Sequence, residues 1–275
     1  MVWAPAPEPR HTSPMPIERY GARELEALRN AGRVAAQTLS TVGAQLRPGM
    51  TTADIDQLVR EDTARRGARP SQLGYHGFPA TVCTSRNQVV CHGVPSARDR
   101  LAEGDIINVD ITSELRGFHG DTSATFAIGR VSAEARHVMD VARRGLWAGI
   151  AQVRPGARLG DIGAAIAELA ASAGCSVVRD YGGHGIGRHM HMEPHVPHFG
   201  VRGNGLRLKP GMTFTIEPMI NAGRPEVRQL GDGWTVVTAD GSLSAQFEHT
   251  VHVTQDGCEV LTDLASIPAQ VGQSA

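Results

Sequence analysis

The sequence predicts an α+β fold built as two similar halves, each with helices followed by a β-hairpin. Three observations carry this: two arms of strict period-2 alternation between Ile106 and Phe126, helical apolar spacing ahead of them, and a repeat of both patterns at a constant offset. Pro5, Pro7, Pro9, Pro14 and Pro16 crowd residues 1–16, a density that favours extended, solvated backbone, so this stretch is expected to be a flexible tail. From Ala22 to Ala44, Leu25, Leu28, Val34, Ala35, Leu39 and Val42 recur at near-helical spacing, and Leu46–Gly49 closes the helix with Pro and Gly. A second helix starts at a cap on Thr51 or Thr52 and turns Ile55, Leu58 and Val59 to the core.

A run rich in Gly, Pro and β-branched residues, from Gly74 to Pro95, then predicts loop and short strands. In the first arm of the hairpin Ile107, Val109 and Ile111 alternate with Asn108, Asp110 and Thr112; in the second, Asp121, Ser123 and Thr125 alternate with Thr122, Ala124 and Phe126. Ser113–Gly117 carries turn chemistry. A turn centred between Leu115 and Arg116 sets Asp110 directly opposite Asp121, with Cβ atoms roughly 4.5–5.5 Å apart. Two facing carboxylates repel, and such a pair either shares a proton or is neutralised by cations.

The second half repeats the first. LRPGMTTADID matches VRPGARLGDIG, with Pro155 lying 107 residues after Pro48, and LAEGDIINVD matches LKPGMTFTIE, with Glu217 lying 107 residues after Asp110. Two matches at one offset imply a pseudo-two-fold arrangement with a site between the halves, about 22–130 and 131–264 of a single domain spanning 17–275. The repeat also calls for an acid on the second returning arm, which is Glu248 in LSAQFEHTVHV.

Composition narrows the function classes. The chain has 275 residues, 41% hydrophobic, with 27 basic and 28 acidic residues, so no global charge directs it to nucleic acid or a membrane surface. No apolar run of ~18 residues is present and the start has no secretory apolar region, so a soluble cytoplasmic protein is expected. Cys83, Cys91, Cys175 and Cys258 show no CxxC spacing and are expected to be reduced thiols.

Four converging carboxylates, Asp110, Asp121, Glu217 and Glu248, carry a charge that an interior tolerates only by protonation or cation binding. Two divalent ions balance it, with an imidazole completing the donor set. GGHGIGRHMHMEPH offers that imidazole: glycines 182, 183, 185 and 187 let the backbone at His184 approach other elements, and His191 lies farther along. His189, His195 and His198 lack comparable support. Oxygen donors with one nitrogen suit Mn²⁺, Fe²⁺ or Co²⁺, and catalytic Zn²⁺ stays open.

These residues resemble type I methionine aminopeptidase, of the pita-bread fold shared with aminopeptidase P and prolidase. The resemblance runs from about Glu18 to Leu264 and rests on VCHGVP, NVD, FHGDTS, GHGIGRHMHMEP, TIEP and DGWTVVTADGSLSAQFEHT. It implies two pseudo-symmetric halves with an antiparallel core and outer helices. It further implies that Asp110, Asp121, His184, Glu217 and Glu248 hold two metal ions, with Asp121 and Glu248 shared between them. The absence of a long insertion after His191 favours type I over type II.

The implied reaction is hydrolysis of the first peptide bond of a chain beginning with methionine, excised when the next residue is small. By the same resemblance Glu217 moves the proton, His191 stabilises the oxyanion and His92 holds the scissile amide nitrogen. Tyr75, Phe78, Cys83, Met190 and Trp234 correspond to the family's apolar pocket. Phe78 and Met190 stand where relatives often carry Tyr and Phe, and Gln72 where some carry Cys, which leaves the pocket apolar but alters its shape. The family's peripheral monovalent-cation site maps to the segments around Asn87, Val89 and Ser244. The expected partners are nascent polypeptide N-termini and the ribosome that presents them, for a monomer with no membrane or nucleic-acid site. Two other readings stand beside it: one within enzymes, a relative cleaving before proline, against which the missing N-terminal companion domain and the Cys83–Trp234 pocket argue, and one of a different class, a non-catalytic binding module, against which the complete donor set argues.

Overall fold

The computed structural model describes residues 17–263; the Pro-rich tail lies outside them. Each half begins with two helices. In the first, α1 (Ala22–Gly43) and α2 (Thr52–Arg65) are followed by β1 (Arg69–Pro70), a 3-10 turn at Tyr75–Gly77, β2 (Cys83–Arg86), β3 (Val89–Cys91), β4 (Ile106–Leu115) and β5 (Phe118–Ala127). In the second, α3 (Ala133–Ile150) and α4 (Leu159–Ser172) precede β6 (Ser176–Val177), β7 (Gly183–Gly185), β8 (Met192–Val196), β9 (Thr213–Ile216), β10 (Met219–Asn221), β11 (Val227–Gln229), β12 (Val236–Thr238), β13 (Ser244–Gln246), β14 (His249–Val253) and β15 (Cys258–Val260).

The sequence repeat has physical counterparts. Asp54 accepts the backbone N–H of Thr51 at 2.7 Å, and Asp161 that of Arg158 at 2.7 Å. These equivalent bonds satisfy donors left free at the starts of α2 and α4. Single antiparallel bridges join Thr51 to Arg100 and Arg158 to Arg207, again the same pair displaced along the chain.

Helices cover the apolar faces of the sheets. Leu39, Val42, Ile55 and Val59 pack on Ile107, Val109 and Ile111, while Val138, Val141, Leu146, Ile162 and Ile166 pack with Phe214, Ile216, Ile220 and Val251. This leaves the polar faces of the two hairpins turned towards each other, where buried polar groups must find partners. They do. Thr125 donates to the Gln246 carbonyl at 2.8 Å and accepts the Gln246 N–H at 3.0 Å, and Asn108 donates to the same carbonyl at 2.9 Å. Thr250 bonds both the N–H and the carbonyl of Asp121, so the halves are sewn together by side chains that belong to neither helix layer.

Candidate metal centre and its cavity

The first hairpin corrects one expectation. β4 and β5 stay paired as far as Leu115↔Phe118, which sets Asp110 opposite Ser123 and Asp121 opposite Thr112. The two acids share a face but lie diagonally rather than directly across. The reason is the turn: it is a two-residue link at Arg116 and Gly117, with φ of 54° and 83°, the pair of positive values that matches the twist of a tight hairpin. Ser113 and Glu114, for all their turn chemistry, remain in the strand.

In the second half Ile216↔His249 and Met219↔Gln246 hold one register, which places Glu217 opposite Glu248 at the break between the paired segments. His184 reaches them from β7, where Gly183 packs against the Thr215 carbonyl with no room for a side chain. Its Nε2 lies 3.6 Å from an Asp121 oxygen and 3.6 Å from a Glu217 oxygen. Ligand atoms of Asp121, His184 and Glu248 all fall within 4.8 Å of one another. Asp110 lines the same cavity.

Burial dominates the electrostatics. It pushes the pKa of Asp110 well above the ordinary carboxylate range, with the charges of Asp121 and Glu217 adding to the effect. Glu248 is raised well above that range by burial and then by its acidic neighbours, and Glu217 is pushed up to about 7, chiefly by burial. For His184 burial opposes protonation, but the adjoining Asp121 and Glu217 outweigh it and hold the pKa above its usual value. One Asp121 oxygen, Oδ1, is buried with no hydrogen-bond partner. An orphaned buried carboxylate oxygen beside protonation-prone acids and an imidazole suits a divalent cation with oxygen and nitrogen donors. The residues therefore fit the metals that the resemblance implies.

The acids floor a cavity of about 470 Å³. Tyr75, Phe78, Cys83, Met190, Trp234, His92 and His191 all line it. Phe78 and Trp234 meet edge-to-face at 5.1 Å, with Phe78, Cys83 and Met190 buried. His191 Nδ1 lies 2.8 Å from the Tyr75 hydroxyl, and its ring stands 4.1 Å from that of His184. His92 has positive φ, 56°, and burial pushes its pKa down to about 4, so its ring is neutral near pH 7. At the periphery, the Ser244 N–H donates to the Asn87 carbonyl at 2.9 Å, and Val89 opens β3 nearby.

Other polar groups complete the centre without any sequence spacing to announce them. Thr215 accepts the His184 N–H at 3.0 Å and donates to Glu217 Oε1 at 2.7 Å. Gln246 donates to Glu217 Oε2 at 3.1 Å. His198, set aside on sequence grounds, is fully buried, and its Nε2 accepts the Glu217 N–H at 3.0 Å. Gln72 spans the Asp110 carbonyl and the Thr112 N–H at 2.8 and 3.1 Å.

Comparison with known proteins agrees with this geometry. The model of metallopeptidase family M24 matches residues 26–255. Methionine aminopeptidase B of Synechocystis is 50% identical over 246 residues, covering 88% of this chain and 90% of that one. The Escherichia coli methionine aminopeptidase is 47% identical over 249 residues, covering 90% and 94%. The crystal structure of the Rickettsia prowazekii methionine aminopeptidase superposes with a TM-score of 0.88 at 46% identity, covering 90% of this chain and all of that one. Prolidase from Pyrococcus furiosus, at 19% identity and a TM-score of 0.72, shares the pita-bread fold. The chain belongs to metallopeptidase family M24, among its methionine aminopeptidases.

Proposed function

We propose that the chain is a type I methionine aminopeptidase that removes the initiating methionine from polypeptides whose second residue is small. One observation carries the reading: a carboxylate and imidazole donor set lies in one cavity with the apolar side chains of Phe78, Cys83, Met190 and Trp234. A methionine thioether, flexible and polarisable, suits contacts with Phe78, Trp234 and Cys83.

Asp110, Asp121, His184, Glu217 and Glu248 would hold the divalent ions, two per chain, drawn from cobalt, manganese, iron and zinc. Such ions supply Lewis-acid polarisation of the scissile carbonyl and acidify water. A Glu217 oxygen takes the proton of the attacking water and passes it to the leaving amine. The neutral His92 ring accepts the N–H of the scissile amide through its unprotonated nitrogen. His191 donates a ring N–H to the developing oxyanion. Backbone carbonyls around Asn87, Val89 and Ser244 would hold a monovalent cation at the periphery.

The natural partners are nascent N-termini as they leave the ribosome in the cytoplasm, met by a monomer whose catalytic domain spans 17–275. Among the described residues no helix is long and apolar enough to cross a membrane. The test is release of the first residue from Met-Ala-Ser and Ala-Pro peptides in a series of divalent metals. Metal-dependent release of methionine is expected; preference for the proline bond, or no metal-dependent cleavage of either peptide, overturns the reading.

A further inference from the structure

The two acids related by the 107-residue repeat, Asp110 and Glu217, share a feature that the repeat does not require. Each lies where its strand loses a main-chain neighbour. On one edge of β4, β2 pairs with Ile107 through Asp110, and β1 resumes only at Ser113 and Glu114. In that gap the Gln72 amide donates to the Asp110 carbonyl at 2.8 Å and accepts the Thr112 N–H at 3.1 Å, as the N–H and C=O of one residue on a parallel neighbouring strand would. Ser71 continues the substitute ladder by donating its N–H to the Thr112 carbonyl at 2.9 Å.

On β9 the Ile186 N–H donates to the Thr213 carbonyl at 3.2 Å, so backbone groups of alternate residues from Thr213 to Glu217 face the β7 side. β7 pairs antiparallel with β9 through Gly185↔Phe214 and begins at Gly183. The Glu217 N–H therefore faces a side from which the strand has gone. His198 takes the bond at 3.0 Å through Nε2, and as an acceptor there its neutral ring carries the proton on Nδ1. Both substitutes are deeply buried, Gln72 at 6% and His198 at 0% exposure. An unpaired buried backbone group is costly, so the substitutes fix the backbone from which each carboxylate projects.

We propose that Gln72 and His198 are positioning residues for the metal centre, each standing in for a missing strand beside one of the two repeat-related acids. The proposal rests on the reading of Asp110 and Glu217 as metal ligands but not on the identity of the peptide cleaved. Partners one step out from a metal ligand commonly set affinity by about 10–100-fold.

The test is calorimetric titration of chelator-stripped full-length protein with Mn²⁺, alongside circular dichroism and steady-state kinetics on Met-Ala-Ser. His198→Leu is expected to weaken Mn²⁺ binding at least about tenfold and to lower kcat with KM unchanged. His198→Gln, which keeps an acceptor, is expected to restore wild-type Mn²⁺ binding, a rescue that a purely space-filling role would not give. Gln72→Met keeps the length without the hydrogen bonds and provides an independent arm should His198→Leu not fold; it too should weaken Mn²⁺ binding. Wild-type affinity in either apolar variant, or a His198→Gln protein as impaired as His198→Leu, overturns the proposal. Failure of the wild-type protein to cleave Met-Ala-Ser would overturn the function and leave the Mn²⁺ result standing.

Discussion

In the first half β4 and β5 pair without interruption from Ile106↔Ala127 to Leu115↔Phe118; in the second the same two arms are each divided at the acid. β9 stops at Ile216 and β10 starts at Met219, while β13 stops at Gln246 and β14 starts at His249. The break frees the backbone of Glu248 to bond across to the first half. Its N–H donates to the Ser123 carbonyl at 3.0 Å, and its carbonyl accepts from the Thr122 hydroxyl at 2.8 Å. An unbroken hairpin holds its own acids by main-chain pairing, whereas a broken one gives up pairing to dock on its partner. A second difference follows from chain length. The first-arm acids Asp110 and Glu217 lie 107 residues apart, but the return acids Asp121 and Glu248 lie 127 apart. The additional stretch between the arms of the second hairpin contains β11 and β12, and it brings Trp234 to the cavity.

The most damaging way to break the comparison is at the divided arm. Glu248→Gln keeps the size and the backbone bonds to β5 but removes a charge, so activity should fall by more than about 100-fold and bound metal should drop. Circular dichroism should be unchanged, because Glu248 has a pKa raised by burial and a neutral amide relieves that burden. His92 belongs to neither hairpin. His92→Ala should lower turnover by about 100-fold while metal analysis still finds the wild-type content, and loss of metal there would make His92 a ligand.

Thr125→Val attacks the seam, leaving the Gln246 N–H without its partner while Asn108 still serves the carbonyl, at a cost of about 1–3 kcal/mol. Thermal melting should show a fall of about 2–4 °C per kcal/mol for a chain of this size. The pH dependence of chelator-treated protein is a gentler probe. Glu217 has its folded pKa raised from 4.5 to about 7, so the native state binds more protons than the unfolded one between those values. Its contribution to stability is fully present below 4.5 and is lost as the pH rises through about 7. The melting gain on adding metal should therefore be larger at pH 8 than at pH 5, and an equal gain at both would contradict the burial account. The smallest effect belongs to the unbroken hairpin's turn. Arg116→Asn, better suited to positive φ, should stabilise by about 0.5–1 kcal/mol, read from urea unfolding.

The strands, the acids and the helices were legible because each leaves a local or repeated pattern: alternation around Asp110 and Asp121, one offset leading to Glu217, and glycines flanking His184. Register was less so. Ser113 and Glu114 look like turn residues, and only the backbone angles of Arg116 and Gly117 show where the hairpin reverses. His198 and Thr215 were illegible as parts of the centre. Their importance depends on contacts with Glu217 made by buried groups at the end of a ladder, and one of the two histidines in PHVPHF carries no sign of that.

The central claim is that the two unlike hairpins form one cage that binds metal for peptide hydrolysis. The most direct measurement is metal stoichiometry against activity, with chelator-stripped protein titrated with Mn²⁺ while methionine release from Met-Ala-Ser is followed. Activity should rise with bound metal to a plateau at two ions per chain and be absent in Glu248→Gln at the same total metal. Full activity without bound divalent metal, or an unaltered titration in Glu248→Gln, would contradict it.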